Sequence, residues 1–281
     1  MQERRKGILL IAGAALLWSS GGIGIKAIAD PALKVTFYRS LFAAVALLLF
    51  LRRARWRRTM SFAVAVLCYA ACLTTFVVAT KWTAAANAIF LQYAGVVWVL
   101  LLSPIMVHEP MRGRDAIAVA VALGGMALFF VGRFEARGMA GNAMALLSSV
   151  FFALLILSLR REPQSAQAAV TWGNVACAAA MLPFAARDLA LAPKSFAVLA
   201  FLGVFQIAAA YALFVRGLAR VTATQASLTG MLEPVANPIW VFLIVGERPS
   251  VYAVIGAVIV LAAIGWHTAV GKPTAEMPPP D

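Results

Sequence analysis

The stretch AVIGAVIVLAAIG, residues 253–265, has no polar side chain at any position, so a helix built from it would present no face to water. AVALLLFL at 44–51 reads the same way. With 63% hydrophobic residues, 12% charged and a mean hydropathy of +0.89, the 281 residues carry more apolar side chain than a water-soluble globule of this size can bury. A bilayer core of about 30 Å is crossed by roughly 20 apolar residues in a helix. On that ruler the sequence predicts ten spans, near 7–28, 33–51, 60–80, 84–106 and 114–132, then 139–159, 166–186, 195–215, 222–245 and 250–270. Strands of a membrane barrel would alternate apolar and polar residues over about ten positions, and these runs do not. The expected fold class is all-α integral membrane.

The basic residues give an orientation. With the amino terminus inward, fifteen fall on the cytoplasmic side: Arg4, Arg5, Lys6, Arg52, Arg53, Arg55, Arg57, Arg58, Arg112, Arg114, Arg160, Arg161, Arg216, Arg220 and Lys272. Eight fall outside, namely Lys26, Lys34, Lys81, Arg133, Arg137, Arg187, Lys194 and Arg248, and Arg39, the last of the 24, lies within a span. The bias predicts both termini in the cytoplasm. Arg4, Arg5 and Lys6 before an apolar run imitate a signal peptide, but the run is long and lacks a small-residue cleavage site, so it is read as a retained first span. The net charge of +13 does not mark a nucleic-acid binder, because the basic residues flank spans instead of forming one patch with interleaved aromatics. RRARWRR at 52–58 is either a solvated loop or a contact for anionic lipid. Cys68, Cys72 and Cys177 all fall inside spans, which suits packing and neither a disulfide framework nor a metal site. Residues 271–281, with three consecutive prolines, are expected to be a disordered cytoplasmic tail.

Two halves can be laid on one another. VVWVLLLSPIMVHEP at 96–110 aligns with PVANPIWVFLIVGER at 234–248, Glu109 over Glu247, and Ala85, Ala88, Val97, Val107, Ile117 and Leu123 recur at the same offset. Each half, 7–132 and 139–270, holds five spans. An odd number forces the halves into opposite orientations, which is the inverted repeat of secondary transporters. Val96 stands where the second half has Pro234, so the fourth span is expected to be straighter than the ninth.

At these residues the chain resembles the drug/metabolite transporter superfamily, as a ten-helix protein of two EamA-type repeats. The resemblance covers about 7–268 and rests on GILLIAGAALLWSSGG (7–22), FLQYAGVVWVLLLSP with the following HE (90–109) and LEPVANPIWVFLIVGE (232–247). LEPVANP looks like the YddG-like branch of bacterial inner-membrane exporters. That resemblance implies alternating-access export of aromatic and other neutral amino acids, without ATP and without a cofactor; exporters of other metabolites or cationic drugs, and a channel-like facilitator, are the alternatives. The expected partners are a small-molecule substrate and membrane lipid, with a monomer possible and no nucleic acid.

The ninth span carries a polar stripe: Thr222, Thr229, Glu233, Asn237 and Trp240, with Ala226, fall within about 80° of one another at 100° per residue. Glu233 lies mid-span and is followed by Pro234 and then Pro238, whose missing N–H groups release the carbonyls of Gly230 and Pro234. An ionisable residue at that depth faces a cavity or is bonded internally. Arg39 is its counterpart in the second span. A guanidinium for the carboxylate and a glutamate for the ammonium would suit a zwitterion, whereas a structural Arg39–Glu233 pair or snorkelling to the interface are the plain alternatives. Tyr38, Gln92, Tyr93, Trp98, Trp172, Asn174, Gln206 and Tyr211 are further candidates for a pore wall. Trp18 reads as belt or packing, His108 and His267 as interfacial, and Glu109 and Glu247 as loop caps or gates. An integral-membrane enzyme is disfavoured: 11 acidic residues and 2 histidines are scattered, with no HExxH, phosphate loop or Ser/His/Asp arrangement.

Overall fold

The computed structural model describes residues 2–50, 56–128, 131, 138–245 and 250–270; Glu247 and the tail from Gly271 lie outside the described residues. Among the described residues there is no strand, and the helices fall into ten spans. In lipid every backbone N–H and C=O must find its partner within the protein, and a helix does so within one segment. The first five spans are Gln2–Lys26, Ala32–Phe50, Met60–Trp82, Ala85–Met106 and Gly113–Ala127. The next are Met139–Arg161, Pro163–Ala185 and Pro193–Leu218, then a ninth made of Ala223–Gly230 and Leu232–Val245, and a tenth at Val251–Val270. The first helix begins five residues before the apolar run. Glu3 pairs with Arg220 and Arg4 donates to the Thr268 carbonyl and to Gln225, so tertiary contacts hold the extra turn.

The outer surface is what hydrocarbon requires: Leu9, Met60, Leu67, Ile105 and Val251 are 67–80% exposed, which water would not tolerate at such density. Inside, the packing repeats itself when the halves are exchanged. The third span lies along the sixth as the eighth lies along the first; the third also meets the seventh as the eighth meets the second. The second and seventh, the fifth and tenth, and the fourth and ninth meet as counterpart pairs. A pseudo-two-fold axis between two five-helix bundles generates this set of contacts.

Three spans are interrupted within their length. The first turns at Ser19–Ser20 before resuming at Gly21, the fourth breaks at Ala94, and the ninth at Met231. The fourth span is therefore not straighter than the ninth, although it has Val96 in place of proline. Gly95 provides the substitute, since a Cβ there would lie 2.8 Å from the Ser149 carbonyl oxygen, and the break lets the fourth span press against the sixth. Pro234 falls in the first turn of the resumed ninth helix, where its absent N–H has no partner to lose, while Pro238 sits within that helix without ending it. In the eighth span, Leu202–Ala209 winds as a π-helix. Gly203 lies there against the second span, and a Cβ on it would come 2.8 Å from the Arg39 carbonyl oxygen and 2.5 Å from Phe42 Cβ. Both contacts are on or next to backbone, so neither neighbour can yield cheaply. Gly203→Ala is expected to spread the second and eighth spans and to lower the thermal midpoint of the detergent-solubilised protein by several degrees, an overpacking cost of about 1–3 kcal/mol; an unchanged midpoint would show the crossing to be loose.

The end opposite the two termini is stitched shut. Lys34, 5% exposed, reaches Asp30 at 3.3 Å, Asp188 at 2.9 Å and the Ala190 carbonyl, joining the loop after the first span to the loop after the seventh. Ser195 donates to Asp30, Lys81 to the Ile28 carbonyl and Tyr38 to the Leu189 carbonyl. Burial alone would push the Asp30 carboxyl up, but the Ser195 hydroxyl and the Lys34 ammonium outweigh it and hold the carboxyl below its ordinary range; the Lys34 hydrogen bond, with the Ala190 N–H, does the same for Asp188. A depressed carboxyl stabilises the fold fully above its unfolded value of about 4 and loses that contribution as pH falls through the folded value. Thermal unfolding followed from pH 6 to pH 3 should show a drop below pH 4 that is smaller in Lys34→Met, and an equal drop in both proteins would remove Lys34 as its cause.

Candidate functional site

Where the three breaks meet the π-helix, the interior is polar. A cavity of about 30 Å³ is lined by Trp18, Arg39, Cys72, Gln92, Gln206, Tyr211 and Glu233, with Leu73, Phe76, Phe152 and Ile207 completing the wall. Arg39 is 2% exposed and Glu233 6%. Neither reaches an interface, so Arg39 does not snorkel. They also do not pair with each other: no ion pair joins these two described residues. Each charge is held by neutral groups instead. Arg39 Nη2 donates to Gln206 Oε1 at 2.7 Å, and Gln206 Nε2 lies 3.4 Å from the Trp18 carbonyl oxygen at the end of the first helix. Arg39 Nε is buried with no hydrogen-bond partner. The π-turn places Gln206, and Gly21 makes room for it, because a Cβ there would sit 2.7 Å from Gln206 Nε2.

Glu233 is met from the fourth span. The Tyr93 hydroxyl lies 2.8 Å from Glu233 Oε2 and 2.7 Å from the Gly230 carbonyl oxygen, which the break at Met231 leaves outside the helical ladder. One phenolic hydrogen thus faces two acceptors. Gln92, also on the fourth span, donates to Ser148 at 2.8 Å and approaches Cys72 Sγ at 3.6 Å.

The remaining sequence candidates are placed as follows. Tyr211 stacks edge-on against Trp18 at 5.1 Å and Tyr69 at 4.8 Å, forming an aromatic wall with Phe214 and Phe152. Asn174 stands one layer behind, donating to the Tyr69 hydroxyl at 2.8 Å. Thr229 is fully buried and bonds to Gln225. Asn237 and Trp240 serve the break in the first span, donating to the Ser19 carbonyl at 3.0 Å and the Ser19 hydroxyl at 2.7 Å. Trp172 packs edge-on against Trp56 and Tyr38 sits among Phe37 and Phe42 at the closed end; neither lines the central cavity. Trp98 is 42% exposed on the outer surface.

A second void of about 610 Å³ opens at the end that holds both termini. Glu109 lies on its wall and links the halves: Oε1 accepts from Arg160 Nε at 2.7 Å and Oε2 from the Ala223 N–H at 2.8 Å, at the start of the ninth span. His267 lies there too. It is 4% exposed, in the last turn of the tenth span, with Nε2 2.8 Å from Asp115 Oδ1 and Nδ1 3.1 Å from Gln225 Oε1, an oxygen that also accepts from Arg4. Four spans meet through that one ring.

Sequence reading missed Trp18 as a cavity wall, Lys34 as a clasp and the His267–Asp115–Gln225 cluster. Gln225 stood one residue off the polar stripe and was a usable signal. Asp115 and His267 are far apart in the chain and have no local pattern. Among the described residues no group of histidine, cysteine or acidic side chains could hold a metal ion.

The fold is shared with a solved structure described only as "Crystal structure of protein", with a TM-score of 0.80 at 15% identity, covering 94% of this chain and 96% of that one. No curated protein matches the sequence. The model of the EamA-like transporter family matches residues 5–131 and again 139–268, one match to each half of the packing symmetry. The chain belongs to the EamA-like transporter family.

Proposed function

We propose that this chain is a secondary carrier that exports small zwitterionic metabolites, neutral and aromatic amino acids foremost, by alternating access between two inverted halves, 7–132 and 139–270. The observation that carries this is the central cavity: a guanidinium and a carboxylate, both buried, line one void and are held apart by separate neutral partners. Two opposite charges kept from neutralising each other are complementary to a solute bearing both. Arg39 takes the carboxylate, with its Nε available; Glu233 takes the ammonium; Tyr211 and Trp18 supply flat apolar walls for the side chain.

As it stands the cavity has room for about two water molecules. Substrate therefore enters by a movement that parts these walls. The clasp at Lys34 closes one end while the void beside Glu109 opens the other, which suits a conformer facing the side of the termini. The bias of Lys and Arg puts that side in the cytoplasm of a bacterial inner membrane. Glu109 then acts as a latch whose bonds to Arg160 and Ala223 rearrange as the halves rock.

Drive comes from the substrate gradient, the membrane potential or a coupled proton. A proton on Glu233 gives the Tyr93 oxygen a donor, leaving the phenolic hydrogen to the Gly230 carbonyl, so all three groups are satisfied only in the protonated state. Deprotonation prepares the carboxylate for an ammonium.

Proteoliposomes offered phenylalanine, threonine, a nucleotide sugar and a cationic drug should take up the two amino acids, with counterflow stimulated by unlabelled substrate inside; uptake without that stimulation would mean a channel. Arg39→Gln removes a charge-assisted bond worth about 1.5–3 kcal/mol and should raise the amino-acid KM roughly 10- to 150-fold, with Arg39→Lys intermediate. Glu233→Gln should abolish the pH dependence of the rate. Unchanged kinetics in both variants would move the substrate site elsewhere.

A further inference from the structure

We propose that the open vestibule, at the end where the first span begins and the tenth ends, is itself a binding site for an anionic group, a carboxylate or phosphate, recognised by Arg112 and Arg161. The inference rests on the vestibule's own residues and is independent of the roles given to Arg39 and Glu233. The void measures about 610 Å³, inside the range of about 300–1,000 Å³ typical of small-molecule pockets. Five arginines line it, Arg4, Arg112, Arg114, Arg160 and Arg161, against two carboxylates, Glu109 and Asp115.

Both carboxylates are already engaged. Glu109 accepts from Arg160 and from the Ala223 N–H, and Asp115 spends Oδ1 on His267 and Oδ2 on the Arg112 backbone N–H. The guanidinium groups of Arg112 and Arg161 are left over around one concave wall. The Arg112 and Arg161 side chains are exposed along the void and make no hydrogen bond or ion pair among the described residues, while Arg114 pairs with Asp115 at 3.6 Å through Nε and donates to the Val270 carbonyl. Basic residues that serve only to orient spans are spread through solvated loops. Here they converge from the first span, the turn before the fifth and the end of the sixth, and low-dielectric walls around a single-signed cleft focus its field. The position of Arg161 in the last turn of a helix accounts for its sign there, but not for its facing Arg112 across a void. Guanidinium forks match carboxylate and phosphate oxygens two at a time. Because Arg112 belongs to the first half and Arg161 to the second, an anion held by both bridges the halves and favours the conformer that is open at this end.

The ligand's oxygens could come from a soluble metabolite or from an anionic lipid headgroup, and one experiment separates them. The full chain in nanodiscs of neutral phosphatidylcholine is titrated with pyrophosphate and with citrate at constant ionic strength, reading heat of binding and thermal midpoint. The expected result is saturable binding with a raised midpoint, weakened at least about tenfold in Arg112→Gln/Arg161→Gln and unaltered in Arg58→Gln, a basic residue outside the vestibule. The ligand-free midpoint of each variant checks that it is folded. Repeating the titration in phosphatidylglycerol nanodiscs assigns the source: unchanged affinity means a soluble anion, and competition lost in the double variant means a headgroup. No saturable binding of either probe in neutral discs, or equal affinity in wild type and double variant, would overturn the proposal.

Discussion

A polar group left without a partner inside a bilayer is costly, and the architecture of this chain is organised around that constraint. A guanidinium and a carboxylate lie deep in a ten-span bundle, and three spans open their backbone within their length. Each freed or buried group is met from another span: Gln206 meets Arg39 and reaches toward the Trp18 carbonyl, Tyr93 meets Glu233 and the Gly230 carbonyl, and Asn237 with Trp240 meets Ser19. The breaks create the polar centre, and the polar side chains make the breaks tolerable. The close helix crossings at Gly21, Gly95 and Gly203 are what let the partners reach.

That centre differs from a buried ion pair in a way that bears on mechanism. A direct Arg39–Glu233 bridge would satisfy both charges and leave little incentive to admit a solute, whereas neutral partners leave each charge with unused capacity, most plainly at Arg39 Nε. The two ends of the molecule are unequal in the same sense. One is closed by a lysine shared between two aspartates; the other is wide, strongly basic, and crossed by the bonds of Glu109 to Arg160 and Ala223 and by the His267 junction.

Much of the fold was legible because hydrocarbon imposes a coarse rule: a predominantly apolar run of about 20 residues, such as 250–270, reads as a span. Glu233 and Arg39 stood out for the same reason, as charges where charges are costly. The rest depended on tertiary contacts that leave no local trace. Trp18 reads as a belt residue until Tyr211 and Phe152 are folded onto it, and Lys34 reads as a loop charge until residues 188–190 arrive from the other half. The π-helix at Leu202–Ala209, which contains the Gly203 crossing, has no local sequence pattern that marks it. The fourth span shows the converse error: the absence of proline suggested a straight helix, yet Ala94–Gly95 breaks without one because the sixth span approaches too closely for an ordinary side chain.

Opposed orientation of the two halves is the claim on which the rest stands. In a chain whose three cysteines are replaced, single cysteines at Met111, after the fourth span, and at Ser250, before the tenth, can be labelled with a membrane-impermeant maleimide in intact cells and in inverted vesicles. Inverted halves require the two positions to react from opposite faces of the membrane, Ser250 from outside and Met111 from inside. Labelling of both from one face would contradict the inverted repeat and, with it, the opposed halves that frame the central site.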